Sequence, residues 1–353
     1  MPDKQKDTSL DASLTYSKAG VDIQHTDSIK IEMGKYVETA HPRVLNGMGP
    51  FASLYDIKFD HIAHPVLVLK SEEPGSKQKL AAEYGYIESV CHDMINHLVN
   101  DIIVMGATPL AVLDTIVCGN ADKDTILHII KGISDACREN ECALVGGETS
   151  IQPGVVDQGT YILTSSIAGI IDKDEILDGA RIRQGDTVLA LASNGLHTNG
   201  YSLVRLLMDA MPQIRGERVG GETFLDAIMK PHTAYYRAIK DLVATRKIHG
   251  MAHITGGGIE GNLRRVMPDG LCAEVDLARI RTLPVFTYIK NKGDVEDSEM
   301  LRTFNCGVGL ILILAPEDAV EAAMHLERYC ACYPIGEVTA GSVPVAFRNQ
   351  LIW

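Results

Sequence analysis

The sequence predicts an α/β (or α+β) protein with two domains, and three observations support this fold class. Short apolar runs rich in β-branched residues alternate with stretches of helical apolar spacing in both halves of the chain. The length of 353 residues exceeds the roughly 250–300 residues at which single hydrophobic cores stop growing. Turn signals with glycine lie mid-chain, at 178–179 and 184–186. We therefore predict a flexible tail over 1–14, an N-terminal domain over 15–175 and a C-terminal domain over 176–353.

The elements of the first half are predicted from local patterns. Residues 65–69 read Pro-Val-Leu-Val-Leu, which is typical of a buried strand. Apolar residues about four apart, from Val90 to Ile102, predict a helix over 80–105. The other predicted elements are a strand at 110–117, a helix over 122–139, a strand-like run at 142–145 and a strand at 161–171.

The second half repeats this mixture of elements. Its predicted elements are a strand at 187–192, a helix from Tyr201, a helix at about 231–245, a glycine loop at 255–258, a strand at 308–314 and a helix over 316–330. Because strands and helices interleave, we expect layered sheets and helices, with the chemistry carried on loops.

Composition narrows the range of functions. A net charge of −13 at pH 7 repels phosphate backbones and anionic membrane surfaces, so we expect no nucleic-acid partner and no membrane association. No apolar run approaches the about 18–20 residues of a membrane span, and the polar N-terminus has no signal-peptide core, so the expected location is cytoplasmic. The eight cysteines form no C-x-x-C pair, which favours buried thiols over a zinc site or a disulfide framework.

Four glycine-containing segments are candidate anion-binding loops, because glycine lets backbone N–H groups converge on a phosphate. Any one of them could be an ordinary tight turn, but two of the four also carry a histidine. The candidates are Gly146, Gly147, Glu148 and Thr149; Asn194, Gly195, His197 and Asn199 within 193–200; Thr255, Gly256, Gly257 and Gly258 after His253; and Asn305 within 303–309.

Carboxylates of the first half are candidate Mg²⁺ ligands, since Mg²⁺ takes hard oxygen ligands while bridging substrate phosphates. Glu72 and Glu148 lie beside strand-like runs, and Asp101 and Asp114 are embedded in apolar sequence. A surface charge or a helix cap is the alternative for each of them.

Histidine and lysine supply the remaining candidates. His197 and His253 could bind phosphate or transfer protons near pH 7, with ordinary loop histidines as the alternative. Lys77 follows Gly75 and Ser76, so its ammonium could reach a phosphate as a point charge, or it could be a solvated surface lysine.

Over residues 15–345 the chain resembles the aminoimidazole ribonucleotide synthetase family, also called phosphoribosylformylglycinamidine cyclo-ligases. The similar stretches are 15–23, 44–51, 99–102, 106–110, 146–149, 193–205, 252–258 and 302–309. The last three are long and specific. Thiamine-phosphate kinase and selenophosphate synthetase are similar in general layout but lack these strings.

The resemblance implies two α/β domains, with the N-terminal domain pairing across a homodimer to build a shared β-barrel. It also implies the reaction. ATP phosphorylates the amide oxygen of formylglycinamidine ribonucleotide, an amidine nitrogen attacks, and phosphate leaves as the ring of aminoimidazole ribonucleotide closes. ATP and Mg²⁺ are the implied cofactors, in purine biosynthesis.

The resemblance also implies residue roles. The implied ATP-binding residues are Gly75, Ser76, Lys77, Gly146, Gly147, Glu148 and Thr149, and the implied metal ligands are Glu72, Asp101 and Glu148. The implied substrate-binding residues are Asn194, Gly195, His197, Asn199, Thr255, Gly256, Gly257, Gly258 and Asn305. His197, His253, Asp101 and Lys77 are the implied catalytic residues.

One loop departs from the family pattern. The family sequence Asp-Gly-Val-Gly-Thr-Lys is here Glu-Glu-Pro-Gly-Ser-Lys, at 72–77. Glu73 adds bulk and negative charge, and Pro74 has no N–H for a phosphate. Two other functions therefore stay open: a paralogue that activates a different amide or carboxylate with ATP, and a nucleotide-binding regulator without catalysis.

Overall fold

The computed structural model describes residues 18–20, 22–37, 41–47 and 50–353, so the predicted tail over 1–14 lies outside the described residues. The elements of the first half are α1 (Ile23–Met33), β1 (Pro65–Glu72), α2 (Lys77–Tyr84), α3 (Ile87–Ile103), β2 (Thr108–Cys118), α4 (Lys123–Glu139), β3 (Ala143–Ile151) and β4 (Tyr161–Asp172).

These four strands form one mixed sheet in the order β1-β4-β2-β3, in which only β2 and β3 pair in parallel. Helices α3 and α4 cover one face. Helix α4 can do so because Ile126, Ile129, Ile130 and Ile133 repeat at helical spacing and are buried. Strands β1 and β3 are edges of this sheet, so within the described part of a single chain the sheet does not close into a barrel.

Three predictions of local structure are wrong. Residues 65–69 do form a strand, but it is not buried, because Leu67 and Leu69 are exposed. The helix predicted over 80–105 is two helices, because Gly85 takes a left-handed backbone conformation (φ 80°) that ends α2. The segment from Gly146 to Thr149 is not a loop but lies inside β3, paired with β2. A Cβ on Gly147 would overlap the carboxyl group of Asp114, so glycine there permits close strand packing.

The second half contains β5 (Thr187–Ala192), α5 (Tyr201–Ala210), β6 (Arg218–Val219), β7 (Glu222–Thr223), α6 (Phe224–Met229), α7 (Tyr236–Ala244), β8 (Ile248–His253), α8 (Gly258–Leu263), β9 (Leu271–Asp276), α9 (Pro284–Gly293), α10 (Asp297–Thr303), β10 (Val308–Leu314), α11 (Pro316–Leu326), β11 (Cys332–Ala340) and β12 (Val345–Arg348).

Six of these strands form the second sheet, in the order β12-β9-β11-β5-β10-β8. All residues of β10 are buried, in agreement with its uninterrupted apolar sequence. The predicted strands at 187–192 and 308–314 are confirmed. The helix predicted at 231–245 begins only at Tyr236, and the one predicted over 316–330 ends at Leu326.

Buried polar side chains of α3 join the two halves. The Asp93 carboxylate accepts from the His232 backbone N–H (2.7 Å), and the Asn96 side chain donates to the His232 carbonyl (2.6 Å). One turn further along, the Asn100 side chain donates to the carbonyl of Thr233 (2.8 Å). These bonds hold the segment before α7 against α3 and so set the distance between the halves.

The cysteines agree with the prediction of buried thiols. All eight are free, and all but Cys330 are buried. Burial raises the pKa of Cys306 to about 12. Among the described residues, no helix is both long and apolar enough to span a membrane.

Candidate active site

A cleft of about 660 Å³ lies between the two halves of the chain. Its walls come from β1 and α3 on one side and from the end of β8 and the residues around α8 on the other. The residues predicted from sequence that line it are Glu72, Asp101, Asn199, His253, Thr255 and Gly256. A second cleft, of about 670 Å³, is lined by Arg218, Tyr288 and Lys292 among others and contains none of the predicted residues.

The first cleft has a charged centre at Lys70. The Lys70 ammonium lies 2.6 Å from Glu72 Oε1 and 3.0 Å from Asp101 Oδ2. Burial opposes the charge of Lys70, but the hydrogen bonds to the two carboxylates outweigh it and raise its pKa. Burial likewise opposes the charge of Asp101, yet its hydrogen bonds with His253 and Lys70 bring the pKa of Asp101 well below its usual range. Both groups are therefore ionised at neutral pH.

Four histidines meet at the inner wall of this cleft. His253 Nδ1 lies 2.7 Å from Asp101 Oδ1, and His253 Nε2 lies 2.8 Å from His232 Nε2. The His232 ring stacks on that of His197, with centroids 3.9 Å apart. His97 approaches from α3, and its Nε2 lies 3.6 Å from Asp101 Oδ2. The rings thus run continuously from the cleft into the core.

Burial keeps three of these histidines neutral. Together with the nearby His253, it lowers the pKa of His97 to about 4. Burial also lowers the pKa of His197 and of His232 well below the usual range. A neutral imidazole keeps one nitrogen lone pair, so each ring can accept a hydrogen bond or bind a metal ion at neutral pH.

The glycine segment after β8 is organised by Asn262. The Asn262 side-chain amide donates to the carbonyls of Gly258 (2.8 Å), Gly256 (3.2 Å) and Thr255 (3.3 Å). Gly257 and Gly258 have φ of 95° and 63°, and a Cβ on Gly258 would overlap the carbonyl oxygen of Leu301. The carbonyls are therefore turned toward Asn262, and glycine is required where the loop packs closely.

Lys77 does not reach the cleft. Its ammonium is completely buried, lies 2.7 Å from Asp93 Oδ2, and donates to the carbonyls of Lys230 (2.6 Å) and His197 (3.3 Å). Burial lowers the pKa of Lys77 and raises that of Asp93, while the ion pair between them opposes both shifts. Three partners occupy its three N–H groups, so this arrangement leaves none for a phosphate.

The neighbours of Lys77 lie at the start of α2. Gly75 has φ 64°, and a Cβ there would contact the carbonyl of Thr198 at 3.7 Å. Ser76 precedes α2 and makes no side-chain capping bond. In the altered loop Pro74 is buried and Glu73 is exposed, so the added charge of Glu73 faces solvent.

The three predicted metal ligands are not brought together. Glu72 and Asp101 share Lys70, but Glu148 is exposed on β3 at the opposite edge of the sheet. The register runs from Glu72 through β4 and β2 to Gly147, which is three strand spacings or about 14 Å. Glu148 instead neighbours the buried Asp114, and burial together with Glu148 raises the pKa of Asp114 to about 7.

Other predicted residues support the fold around the cleft. Asn305 accepts from the Ser193 hydroxyl (2.8 Å) and donates to the carbonyl of Gly195 (2.9 Å). Asn194 donates to the carbonyl of Pro231 (2.8 Å). His197 is buried and has a left-handed backbone (φ 60°). These residues shape the segment over 193–200, of which Asn199 lines the cleft.

Sequence reasoning missed five residues of this region: Lys70, His97, His232, Asn262 and Arg265. Two of them had a usable signal. His97 and Asp101 are four residues apart on one helix, a spacing that places them on the same face. Lys70 is the first charged residue after the apolar run of 65–69. Among the described residues Arg265 has no ion-pair partner, so its guanidinium lines the cleft without a bound carboxylate.

Both halves of the chain match models of one family. Residues 67–171 match AIR synthase related protein, N-terminal domain, and residues 183–348 match the corresponding C-terminal domain. The phosphoribosylformylglycinamidine cyclo-ligase of Methylobacillus flagellatus is 42% identical over 311 residues, covering 88% of this chain and 90% of that protein. The chain belongs to the phosphoribosylformylglycinamidine cyclo-ligase family. The cyclo-ligase of Chromobacterium violaceum is 40% identical and covers 92% of this chain and 95% of its own.

Membership of the cyclo-ligase family confirms the resemblance found in the sequence and agrees with the fold. A crystal structure of the hydrogenase maturation protein HypE in complex with ATP superposes with a TM-score of 0.64 at 19% identity, covering 91% of this chain and 88% of that one. At this identity the likeness shows a shared fold alone, the mixed α/β two-domain fold. The family matches leave 172–182 between them, and the domain limits at 175 and 176 stay a prediction.

Proposed function

We propose that this chain catalyses the ATP-dependent ring closure of formylglycinamidine ribonucleotide to aminoimidazole ribonucleotide in purine biosynthesis, as a C–N bond-forming ligase. The observation that carries the proposal is the 42% identity to a named cyclo-ligase over 88% of the chain. The cleft between the halves supports it, because carboxylates and a lysine from one half face the glycine loop and Arg265 of the other.

The chemistry calls for positioning and charge neutralisation more than for covalent catalysis. An amide oxygen is a poor leaving group, and its phosphorylated form is a good one, so the enzyme must align the phosphoryl donor with the amide. We assign Arg265 and Asn199 to phosphate binding, since an unpaired guanidinium and an amide can each donate to phosphate oxygens. The Thr255 hydroxyl joins them when it turns away from Asn262 Oδ1, to which it donates at 3.2 Å. Gly256 lets the backbone approach closely.

Two carboxylates of the cleft suit Mg²⁺. The oxygens of Glu72 and Asp101 already converge on a single cation, the Lys70 ammonium, so their positions fit a hard-oxygen site. When bound, Mg²⁺ offsets the negative charge of the transferring phosphoryl group. His253 holds Asp101 through their hydrogen bond and so orients its carboxylate. In this proposal Glu148 is not a ligand of the same ion, and Lys77 and His197 support the walls of the cleft.

Turnover of the purified chain tests the function. With formylglycinamidine ribonucleotide, ATP and Mg²⁺, we expect ADP and a diazotisable aminoimidazole product in equal amounts, and neither without the ribonucleotide. ADP formed only with a different amide or carboxylate would replace this proposal with the paralogue. Nucleotide binding in calorimetry without turnover of any amide would replace it with the nucleotide-binding regulator, whose altered loop carries the exposed Glu73 and the buried Pro74.

We further propose that the chain acts as a cytoplasmic homodimer in which two N-terminal sheets face each other, completing the implied barrel. The uncovered face of the first sheet carries Leu67, Leu69, Leu113 and Ile162, with exposed fractions of 51%, 70%, 49% and 42%. An apolar sheet face of this kind is stabilised by a second apolar surface.

A substitution on that face tests the dimer. Leu69→Glu should give a monomer in light scattering, because it places a charge within the apolar contact. Leu206→Glu is the matched control, since Leu206 is also 70% exposed but lies on α5 in the other half. A wild-type monomer, or loss of the dimer in both variants, would contradict the proposed interface.

A further inference from the structure

His97 and His253 are metal-binding groups that the proposed reaction does not use as ligands, and they lie beside Asp101, which it does use. His97, Asp101 and His253 each offer one ligand atom, and these atoms lie within 4.8 Å of one another. Imidazole nitrogen with carboxylate oxygen is a donor set that suits zinc and related transition metal ions, whereas Mg²⁺ prefers oxygen alone. We propose that His97, Asp101 and His253 form a binding site for a divalent transition metal ion of the Zn²⁺ class, open toward the cleft.

The ring nitrogens that face Asp101 have the orientation that a metal site needs. His97 Nδ1 lies 3.1 Å from the Thr198 hydroxyl, which can accept its N–H and leave the Nε2 lone pair facing Asp101. His253 Nε2 lies 2.8 Å from His232 Nε2, which can accept its N–H and leave Nδ1 facing Asp101. Metal-binding histidines almost always donate their second N–H in this way, which fixes the tautomer.

The spacing of the groups is also suitable. His97 Nε2 lies 3.6 Å from Asp101 Oδ2, too far for a hydrogen bond but close to the separation of about 3.3–3.6 Å between two ligands of a tetrahedral zinc ion. The His97 and His253 rings are nearly perpendicular, at 87°, so their in-plane lone pairs can converge. Binding replaces the proton that His253 Nδ1 and Asp101 Oδ1 share at 2.7 Å.

A neighbouring group of three histidines is a poorer site. His197, His232 and His253 also have ligand atoms within 4.8 Å of one another. However, the rings of His197 and His232 stack at 3.9 Å with planes only 21° apart, so their in-plane lone pairs run side by side rather than converging. His232 therefore supports His253 instead of binding the ion.

Three protein ligands leave a fourth position of the ion unfilled, as in zinc sites that bind a water or a substrate oxygen. Here that position faces the cleft, which His97, Asp101 and His253 all line. Lys70 competes for the site, because its ammonium lies 3.0 Å from Asp101 Oδ2. The Lys70 side chain is 35% exposed and can swing away, so binding of the metal ion releases a tethered cation.

Cobalt spectroscopy of the full-length protein tests this site without any nucleotide or assay of activity. Co²⁺ added to the metal-free chain should bind one ion per chain, with the strong visible bands of a tetrahedral site. No thiolate-to-cobalt charge-transfer band should accompany them, since no cysteine is a ligand. Zn²⁺ should displace the Co²⁺, and millimolar Mg²⁺ should not.

Substitutions identify the ligands. His97→Leu should weaken Co²⁺ binding by at least about 100-fold. His249→Gln should leave it unchanged, because His249 forms a pair with Asp186 of similar length (2.8 Å) outside the cleft. Lys70→Met should tighten binding, a gain that misfolding cannot produce. Equal affinity in wild type and His97→Leu, a thiolate band, weaker binding in Lys70→Met, or no binding by the wild type would overturn the proposal.

Discussion

Two lysine–aspartate ion pairs connect the β1–α2 region to α3. They have the same chemistry but differ in burial and in location. Lys77 and Asp93 lie 2.7 Å apart with no exposed side-chain surface. Lys70 and Asp101 lie 3.0 Å apart with side chains that are 35% and 20% exposed. The first pair joins the two halves inside the core, and the second lies in the cleft. Burial, rather than residue type, separates a structural ion pair from one that a ligand can reach.

This contrast predicts that substitution of Lys77 mainly lowers stability, whereas substitution in the Lys70 and Asp101 pair mainly lowers activity. Removing a partner from a buried pair leaves an uncompensated charge in a low-dielectric interior. Removing a partner from a cleft pair leaves a charge that water can reach, so the loss falls mainly on function. Substitutions at four positions test this difference between buried and accessible charges.

The largest expected effect is that of Lys77→Met. It leaves the carboxyl group of Asp93 buried without its cation, and we expect it to lower the free energy of unfolding by about 3–5 kcal/mol. Urea denaturation followed by circular dichroism measures this loss. The double variant Lys77→Met/Asp93→Asn should recover part of it, because the unpaired charge is gone. Unchanged stability with a large loss of turnover would instead return Lys77 to the phosphate-binding role first predicted.

Asp114 is a third case, a buried carboxyl group that forms no ion pair among the described residues. Burial raises its pKa from 3.8 to about 7. The folded state therefore holds a proton that the unfolded state releases, and stability falls as pH rises from about 4 to 7. Asp114→Asn should remove this dependence and stabilise the protein at pH 8 by at most about 4 kcal/mol, with little gain near pH 4. Thermal unfolding of wild type and Asp114→Asn across this pH range measures the effect. If the substitution changes the stability by the same amount at every pH, Asp114 is not the cause of the pH dependence.

In the cleft, Asp101→Asn should act on turnover. We expect a decrease of about 100-fold in kcat, the magnitude of lost electrostatic stabilisation at a reacting centre. The variant should remain folded and lose less stability than Lys77→Met, because Asp101 is partly exposed. Parallel assays of ADP release and urea denaturation separate the two effects. A variant with near-normal turnover would remove Asp101 from the active site.

The smallest expected effect is that of Arg265→Ala. Loss of one charge-assisted hydrogen bond to a bound phosphate should raise KM about tenfold, equivalent to about 1.4 kcal/mol. Arg265→Lys should have a weaker effect because it retains the charge. Steady-state kinetics with both substrates would show which phosphate Arg265 contacts. An unchanged KM in Arg265→Ala would exclude the contact.

Much of the fold could be predicted from the sequence because the elements have strong local signals. The uninterrupted apolar run of β10 is typical of a buried strand, and the isoleucine repeat of α4 is typical of an amphipathic helix. Local signals fail where tertiary contacts decide. The segment from Gly146 to Thr149 resembles a loop by composition, yet strand pairing to β2 places it inside β3. Gly85 divides a continuous helical pattern, because its left-handed backbone matters more than the apolar spacing around it.

The site could be predicted only in part for the same reason. Asp101, His253 and Thr255 belong to family motifs and do line the cleft. Lys77 belongs to such a motif too, but the sequence does not reveal that Asp93 and two carbonyl oxygens surround its ammonium. His232 was missed because its neighbour His253 is 21 residues away in the chain. Burial and long-range proximity are properties of the folded chain.

In the proposed reaction the cleft between the halves, and not the buried Lys77, binds the reacting phosphates. A crystal structure of the full chain with a non-hydrolysable ATP analogue and the ribonucleotide substrate tests it most directly. We expect phosphate oxygens within hydrogen-bonding distance of Arg265 and Thr255, with the ion pair of Lys77 and Asp93 intact. Ligand bound in the cleft beside Arg218 and Lys292, or in contact with Lys77, would contradict the account.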